Sequence, residues 1–126
     1  MNTSRPWVIA HRGGGALAPE NTLAAFKAAM DAGADAVELD VHLSRDGRLV
    51  VMHDETVDRT TDGSGAIADL TGADLRRLDA GSWFGAGYAG ERVPYLEEVL
   101  ALAAPPVIEL KYGLERYPGI EETVVH

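Results

Sequence analysis

Ala36-Val37-Glu38-Leu39-Asp40-Val41-His42-Leu43 is the stretch on which the reading of the fold turns. Side chains alternate faces along a strand, so Val37, Leu39 and Val41 share one face and Glu38, Asp40 and His42 the other. The first face is wholly apolar, as a strand lying on a core requires. The second carries two carboxylates two positions apart, and two ionised carboxylates are costly to bury together. A divalent cation between them removes that cost, and oxygen ligands suit Mg²⁺ or Ca²⁺. Taken alone, the pair reads equally well as a strand end near solvent, hydrated or paired with arginine.

Upstream, Trp7-Val8-Ile9-Ala10-His11 is a short apolar strand that runs into Arg12-Gly13-Gly14-Gly15, where glycines free the backbone to turn or to approach a ligand. Pro19-Glu20-Asn21-Thr22 supplies a helix start, with Asn21 or Thr22 as the capping residue. Leu23, Phe26 and Met30 follow at helical spacing, and Gly33 is a C-terminal stop. Downstream, Asp46-Gly47 is a turn and Leu49 to His53 a valine-rich strand. Strand, helix and strand with near-continuous apolar runs predict a parallel sheet buried on both faces. The short Asp46-Gly47 turn fits an antiparallel hairpin, whereas Val50-Val51 is apolar enough for a central strand. The strand is read as parallel, and the family resemblance described below weighs more in that choice than the pattern.

From Glu55 to about Arg92 the character changes. Asp62-Gly63-Ser64-Gly65 is a loop, and Thr71 with Asp74 forms a capping-box pattern before Leu75 and Leu78. Gly81, Gly85, Gly87 and Gly90 space out Trp83, Phe84 and Tyr88, which predicts a compact irregular excursion with the aromatics as its small core. Glu97 to Ala104 is helical, Pro105-Pro106 ends it, Val107 to Lys111 is a fourth strand, and Tyr117 to His126 opens one more helix.

The chain has 126 residues, the ordinary size of one domain, and its hydrophobic fraction of 46% suffices for a core. It has no cysteine, which excludes disulfides, thiolate metal sites and cysteine nucleophiles. No apolar run approaches the roughly 20 residues of a membrane helix, and residues 1–6 lack the apolar core of a signal peptide, so a cytoplasmic location is the simplest expectation. The net charge of −9 argues against a nucleic-acid partner. It also disfavours an anionic substrate unless local cations, a bound metal among them, stand at the site.

Such groups recur at the strand ends. The first strand ends in His11-Arg12, the third in His53-Asp54, and the fourth carries Glu109 and Lys111 on one face. In parallel α/β architectures the C-terminal edge of the sheet is where sites are built. Two histidines, whose ordinary pKa lies near neutrality, are suited to taking a proton from a nucleophile and returning one to a leaving oxygen. Glu38, Asp40 and Glu109 can supply three carboxylate ligands for one cation, and the metal with Arg12 and Lys111 can offset charge growing on phosphate oxygens. His42 and His126 read as satisfied core or surface groups. Asn21 reads as a cap at least as readily as a ligand, and Glu20 as a partner for the Arg12 guanidinium. Arg59 reads as part of a surface loop or as a group that closes over the substrate, with a structural role close to the site slightly favoured.

This combination resembles the glycerophosphodiester phosphodiesterase family. The resemblance rests on His11-Arg12-Gly13, Pro19-Glu20-Asn21-Thr22, Glu38-Leu39-Asp40-Val41, His53-Asp54, Arg59-Thr60-Thr61, Val93-Pro94, Leu96-Glu97-Glu98-Val99-Leu100 and Glu109-Leu110-Lys111, in the family's order and spacing. It implies a TIM-barrel (β/α)8 fold, of which residues 1–126 would cover about the first four βα units, with a small insertion at 55–92 after strand 3. It implies hydrolysis of glycerophosphodiesters to glycerol 3-phosphate and an alcohol, as part of glycerol and lipid metabolism. It makes His11 and His53 the acid/base pair, Glu38, Asp40 and Glu109 the ligands of Mg²⁺ or Ca²⁺, and Arg12 and Lys111 the phosphate contacts.

Tyr95 stands where the family commonly has threonine, at a cost of about 1 kcal/mol in helix capping, and Val107 where asparagine is frequent. A barrel of this type needs roughly 250 residues, so either a missing C-terminal half or a second copy of the chain is expected to complete it. The competing readings are a non-catalytic half-barrel that binds or assembles, and a related phosphodiesterase acting on lysophospholipids.

Overall fold

The computed structural model describes residues 8–102 and the backbone of 106–109. Strands β1 (Ile9–Ala10), β2 (Ala36–Leu43) and β4 (Pro106–Glu109) form a parallel sheet with β2 in the middle. Helices α1 (Leu23–Asp31) and α3 (Leu96–Leu102) pack on it. The apolar face of β2 behaves as its alternation requires: Val37, Leu39 and Val41 join Phe26, Ala29, Val51, Leu96 and Val99 in one buried cluster.

Helix α1 begins where Thr22 caps it by accepting from the Ala25 amide, and Gly33 ends the segment at a φ of 90°. Its buried face is Ala25, Phe26 and Ala29. Leu23 and Met30 lie at the margins of that face, because the two alanines bring the helix close to the sheet while Phe26 fills the gap. Gly13 shares this packing. At a φ of +64°, a Cβ there would lie 2.2 Å from Cε1 of the buried Phe26 ring. Gly13→Ala is therefore expected to cost roughly 2–5 kcal/mol, from left-handed backbone strain and overpacking together. Urea unfolding checks this, and unchanged stability would refute the close approach.

The expected parallel third strand is not what forms. Strand β3 (Leu49–Val51) is antiparallel to β2, with Val41 opposite Val51 and Leu43 opposite Leu49. The local turn decides this: the Ser44 hydroxyl donates to Asp46 and accepts from the Arg48 amide, and Gly47 takes a φ of 84°. The first half of β2 thus belongs to the parallel sheet and the second half to a hairpin. Among the described residues the parallel strands number three, not four. Burial of Val50 comes from a second apolar cluster with Met52, Val57, Ile67, Leu75, Ala80 and Val93, not from helices on both sides of a parallel strand.

That cluster is the core of the irregular segment after the hairpin. It includes helix α2 (Gly72–Arg76), whose capping box between Thr71 and Asp74 forms as expected. The aromatics are not that core. Trp83 and Phe84 are 41% and 38% exposed and, with Tyr88, form an edge-to-face series on the surface. Glycines between them favour tight turns, and the Trp83 indole donates to the Ala80 carbonyl within one such turn. Tyr95 gives α3 no side-chain cap. Its amide donates to Glu98, and its ring packs against the guanidinium groups of Arg48 and Arg76, which pair with Glu97 and Glu98. Among the described residues no helix is long and apolar enough to cross a membrane. The helix expected from Tyr117 and the residues Lys111 and His126 lie outside the described residues.

Candidate functional site

The C-terminal ends of β1 and β2 meet the loop after β3. Chain after β1 turns at once into a 3-10 turn, His11–Gly13, in which Arg12 has a φ of 49°. Asn21, at a φ of 58°, is the other non-glycine residue in this left-handed region among the described residues, and its backbone amide donates to the Arg12 carbonyl at 2.9 Å. Left-handed backbone at such residues costs about 1–2 kcal/mol each. The strain is held in place by that bond, and both side chains enter the same cluster of polar groups.

On β2 the polar face is buried where the sequence places it. Asp40 and His42 are 1% and 0% exposed, and Glu38 is largely covered. The hairpin brings β3 back beside them: the Met52 amide donates to the Asp40 carbonyl, and His53 follows directly. His53 therefore reaches the site through an antiparallel return, whereas His11 reaches it from the end of a parallel strand. His42 is not in the reacting cluster. Burial pushes its pKa down, so it is neutral at pH 7, and its Nε2–H donates to the His53 carbonyl at 3.1 Å.

A chain of contacts joins the expected residues. His11 Nε2 lies 3.0 Å from Glu38 Oε1. Arg12 Nη2 lies 3.1 Å from His53 Nε2, and His53 Nδ1 lies 2.9 Å from Asp54 Oδ1. A guanidinium has no lone pair to offer and a carboxylate no proton. Both contacts are hydrogen bonds only if His53 carries its proton on Nδ1 and accepts on Nε2. Arg12 Nη1 reaches Glu20 at 3.3 Å, the partnership suggested by the sequence. Arg59 closes the circuit with bonds of 2.9–3.0 Å to both oxygens of Asp54 and both of Glu20. The Arg59 hydrogen bonds, the leading influence, hold the Asp54 pKa down at about 2, so its carboxylate stays charged at neutral pH.

Asn21 is not the helix cap, which is Thr22. It is 2% exposed, and its amide nitrogen donates to Asp40 Oδ2 at 3.2 Å. Its own oxygen, one oxygen of Asp40 and Oε1 of Glu38 are buried and accept no hydrogen bond among the described residues. The short His11–Glu38 approach does not change this for Glu38, because it is not aligned as a hydrogen bond. Buried acceptors without donors are costly. Three hard oxygens, two of them anionic, fit a divalent cation of the Mg²⁺ or Ca²⁺ type. Among the described residues no set of three histidine, aspartate or glutamate side chains forms such a cluster. Glu109, the expected third carboxylate, sits opposite Asp40 in the β2–β4 register, and its backbone alone is described. Arg12 Nε is likewise buried without an acceptor among the described residues.

The structure brings His11, Arg12, Glu38, Asp40 and His53, all singled out in the sequence, into one region. Asn21 was left open between a cap and a ligand, and the structure gives the cap to Thr22 and pairs Asn21 with Asp40. Asp54 had no assigned task, although it follows His53 directly. The carboxylate next to a histidine was the available signal.

The sequence profile of the Glycerophosphoryl diester phosphodiesterase family matches residues 11–122. A glycerophosphodiester phosphodiesterase of Caldanaerobacter subterraneus subsp. tengcongensis is 55% identical over 122 residues, which are 94% of this chain and 50% of that protein. One from Bacillus subtilis is 42% identical in an alignment of 136 positions that covers 99% of this chain and 46% of that protein. Among solved structures, an Oleispira antarctica phosphodiesterase in complex with the product sn-glycerol-3-phosphate superposes with a TM-score of 0.82 at 46% identity, over 84% of this chain and 44% of that one. Glycerophosphodiester phosphodiesterase from Agrobacterium tumefaciens gives 0.80 at 45% identity, over 86% and 48%. The chain spans about half the length of the curated relatives it matches. With one family profile running through nearly the whole sequence and relatives of that name more than half identical, the chain belongs to the glycerophosphoryl diester phosphodiesterase family.

Proposed function

We propose that these residues form one side of a metal-assisted site that hydrolyses glycerophosphodiesters to glycerol 3-phosphate and an alcohol. The observation that carries this reading is the set of buried oxygens that find no donor among the described residues, on Glu38, Asp40 and Asn21, beside two histidines and an arginine whose buried Nε–H finds no acceptor among them. The product named for the Oleispira antarctica relative is consistent with it.

Glu38, Asp40 and Glu109 would hold Mg²⁺ or Ca²⁺, with Asn21 adding a neutral oxygen. Such a cation, when bound, stabilises negative charge on the phosphate oxygens. Arg12 binds the phosphate, and Lys111 is assigned a second contact to it. His53, held with its proton on Nδ1, takes a proton at Nε2 once Arg12 turns to the phosphate. A neighbouring glycerol hydroxyl then attacks phosphorus, giving its proton to His53, while the bond to the alcohol breaks and His11 protonates the leaving oxygen. Water opens the resulting cyclic phosphate with the two histidines in reversed roles.

The three parallel strands are taken as part of a closed (β/α)8 barrel. An apolar cleft of about 680 Å³ runs beside β1, lined by Val8, Ala10, Leu17, Ala29 and Ala34 and reaching His11 and Arg12. Val8 and Leu17 are exposed there, which supports a further strand and helix as its cover. Those elements, from additional polypeptide or a second copy, are proposed to complete the substrate site.

Phosphorus NMR of glycerophosphocholine with the full polypeptide tests the route. The expected result is a transient cyclic glycerophosphate signal ahead of glycerol 3-phosphate. Glycerol 3-phosphate labelled by ¹⁸O-water with no cyclic species on the way would replace the glycerol hydroxyl with direct attack by water.

A further inference from the structure

Two carboxylates, Asp54 and Glu20, each orient a residue of the reacting cluster, and one side chain holds both. Asp54 accepts from His53 Nδ1 and Glu20 from Arg12 Nη1. Arg59 donates through Nε and Nη2 to Asp54, and through Nη1 and Nη2 to Glu20. Four bonds from one planar fork fix the separation and the plane of the two carboxylates more strictly than an ammonium group can. We propose that Arg59 is a positioning residue, which locks Asp54 so that His53 keeps its Nδ1–H tautomer and locks Glu20 so that Arg12, anchored through Nη1, waits beside His53 until it turns to the phosphate. The proposal rests on the function assigned to His53 and Arg12 above.

An exposed ion pair is ordinarily worth little, and Arg59 is 45% exposed. Its surroundings distinguish it from such a pair. The turn that carries it is anchored beside it: Thr61 is buried, and its hydroxyl and amide both donate to the Val57 carbonyl. Glu20 is only 10% exposed. Burial raises the Glu20 pKa, but the bonds and charge of Arg59, with those of Arg12, outweigh that and leave it below the usual carboxylate range. Without Arg59, Asp54 can rotate and accept from solvent, and His53 then loses the group that fixes its proton on Nδ1. The effect reaches the reaction through other residues, so it should fall on turnover more than on substrate binding.

The test uses the full polypeptide with ¹⁵N-labelled histidine. In the wild type, at a pH where the ring is neutral, His53 is expected to show a protonated Nδ1 and an unprotonated Nε2. Arg59→Ala should turn this into a tautomer mixture and lower kcat about 10–100-fold, the range found when groups that orient a histidine are removed. KM should change little. Asp54→Asn should cost a similar factor, and the double variant should be little worse than the poorer single one, because both changes break one linkage. Arg59→Lys keeps the charge without the fork. It should show the same defects at smaller size, and it carries the test if Arg59→Ala melts too low to assay. An unchanged His53 tautomer in both variants, multiplying losses in the double variant, or a raised KM with intact kcat would each overturn the proposal. If the wild type turns over no glycerophosphodiester, the assigned function fails, while the tautomer measurement still decides the role of Arg59.

Discussion

Replacing His53 with alanine is expected to lower glycerophosphocholine turnover by about 10²–10⁴-fold, the range for a positioned general base. The size follows from how the ring is held. Asp54 accepts from Nδ1–H and Arg12 occupies Nε2, so the lone pair that must accept a proton is already directed at the residue proposed to bind phosphate. A ring free to rotate or to exchange tautomers would be a weaker base for the same reaction. The loss should appear in kcat with KM changed little, since the proton moves only in the transition state. The fold should survive, because the two apolar clusters are built from other residues. Steady-state kinetics beside a melting curve checks both halves. A His53→Ala protein with near-wild-type kcat would remove the histidine from the chemistry.

The second large effect concerns Asp40. Asp40→Asn conserves shape but removes one of the two buried negative charges from the face of β2. Turnover should fall by at least about 100-fold through loss of the cation that offsets phosphate charge. Stability should respond in the opposite sense when no metal is present. In the wild type Glu38 and Asp40 each keep a buried oxygen with no donor among the described residues, so neutralising one relieves repulsion. After chelation the variant should melt no lower than the wild type. Added Mg²⁺ or Ca²⁺ should raise the wild-type melting temperature, by mass action worth about 2.7 kcal/mol at a hundredfold excess over Kd. The same addition should leave Asp40→Asn nearly unmoved. Equal metal-induced shifts in the two proteins would place the cation elsewhere.

The parts of this account legible in the sequence are those set by local period and by short spacing. The alternation in β2 placed Val37, Leu39 and Val41 in the core and Glu38 and Asp40 opposite them, because a strand leaves no other choice. Thr22, Gly33 and the Thr71–Asp74 capping box were readable for the same reason. The direction of β3 was misread because the family resemblance, with apolar Val50 and Val51 beside it, outweighed the Asp46-Gly47 turn. Their burial depends on Met52, Val57, Ile67 and Leu75, which fold back from later in the chain and leave no local mark. Trp83 and Phe84 misled in the reverse way, since large rings in a glycine-rich stretch suggested a core that the valines and leucines supply instead. In the site, residue types at strand ends picked out His11, Arg12, Glu38, Asp40 and His53. The coupling of Asn21 to Asp40, and of Arg59 to Glu20 across 39 positions, is long-range pairing that periodicity does not encode.

The central claim is that His11, His53 and a cation held by Glu38 and Asp40 act together on a phosphodiester. It is tested most directly by turnover of glycerophosphocholine, measured with the full polypeptide after chelation and again after Mg²⁺ or Ca²⁺ is restored, in the wild type and in His11→Ala. Activity that is absent after chelation, returns with metal in the wild type and stays at least about 100-fold lower in His11→Ala is the predicted result. A wild type that binds the metal but shows no turnover, with His11→Ala indistinguishable from it, would contradict the claim.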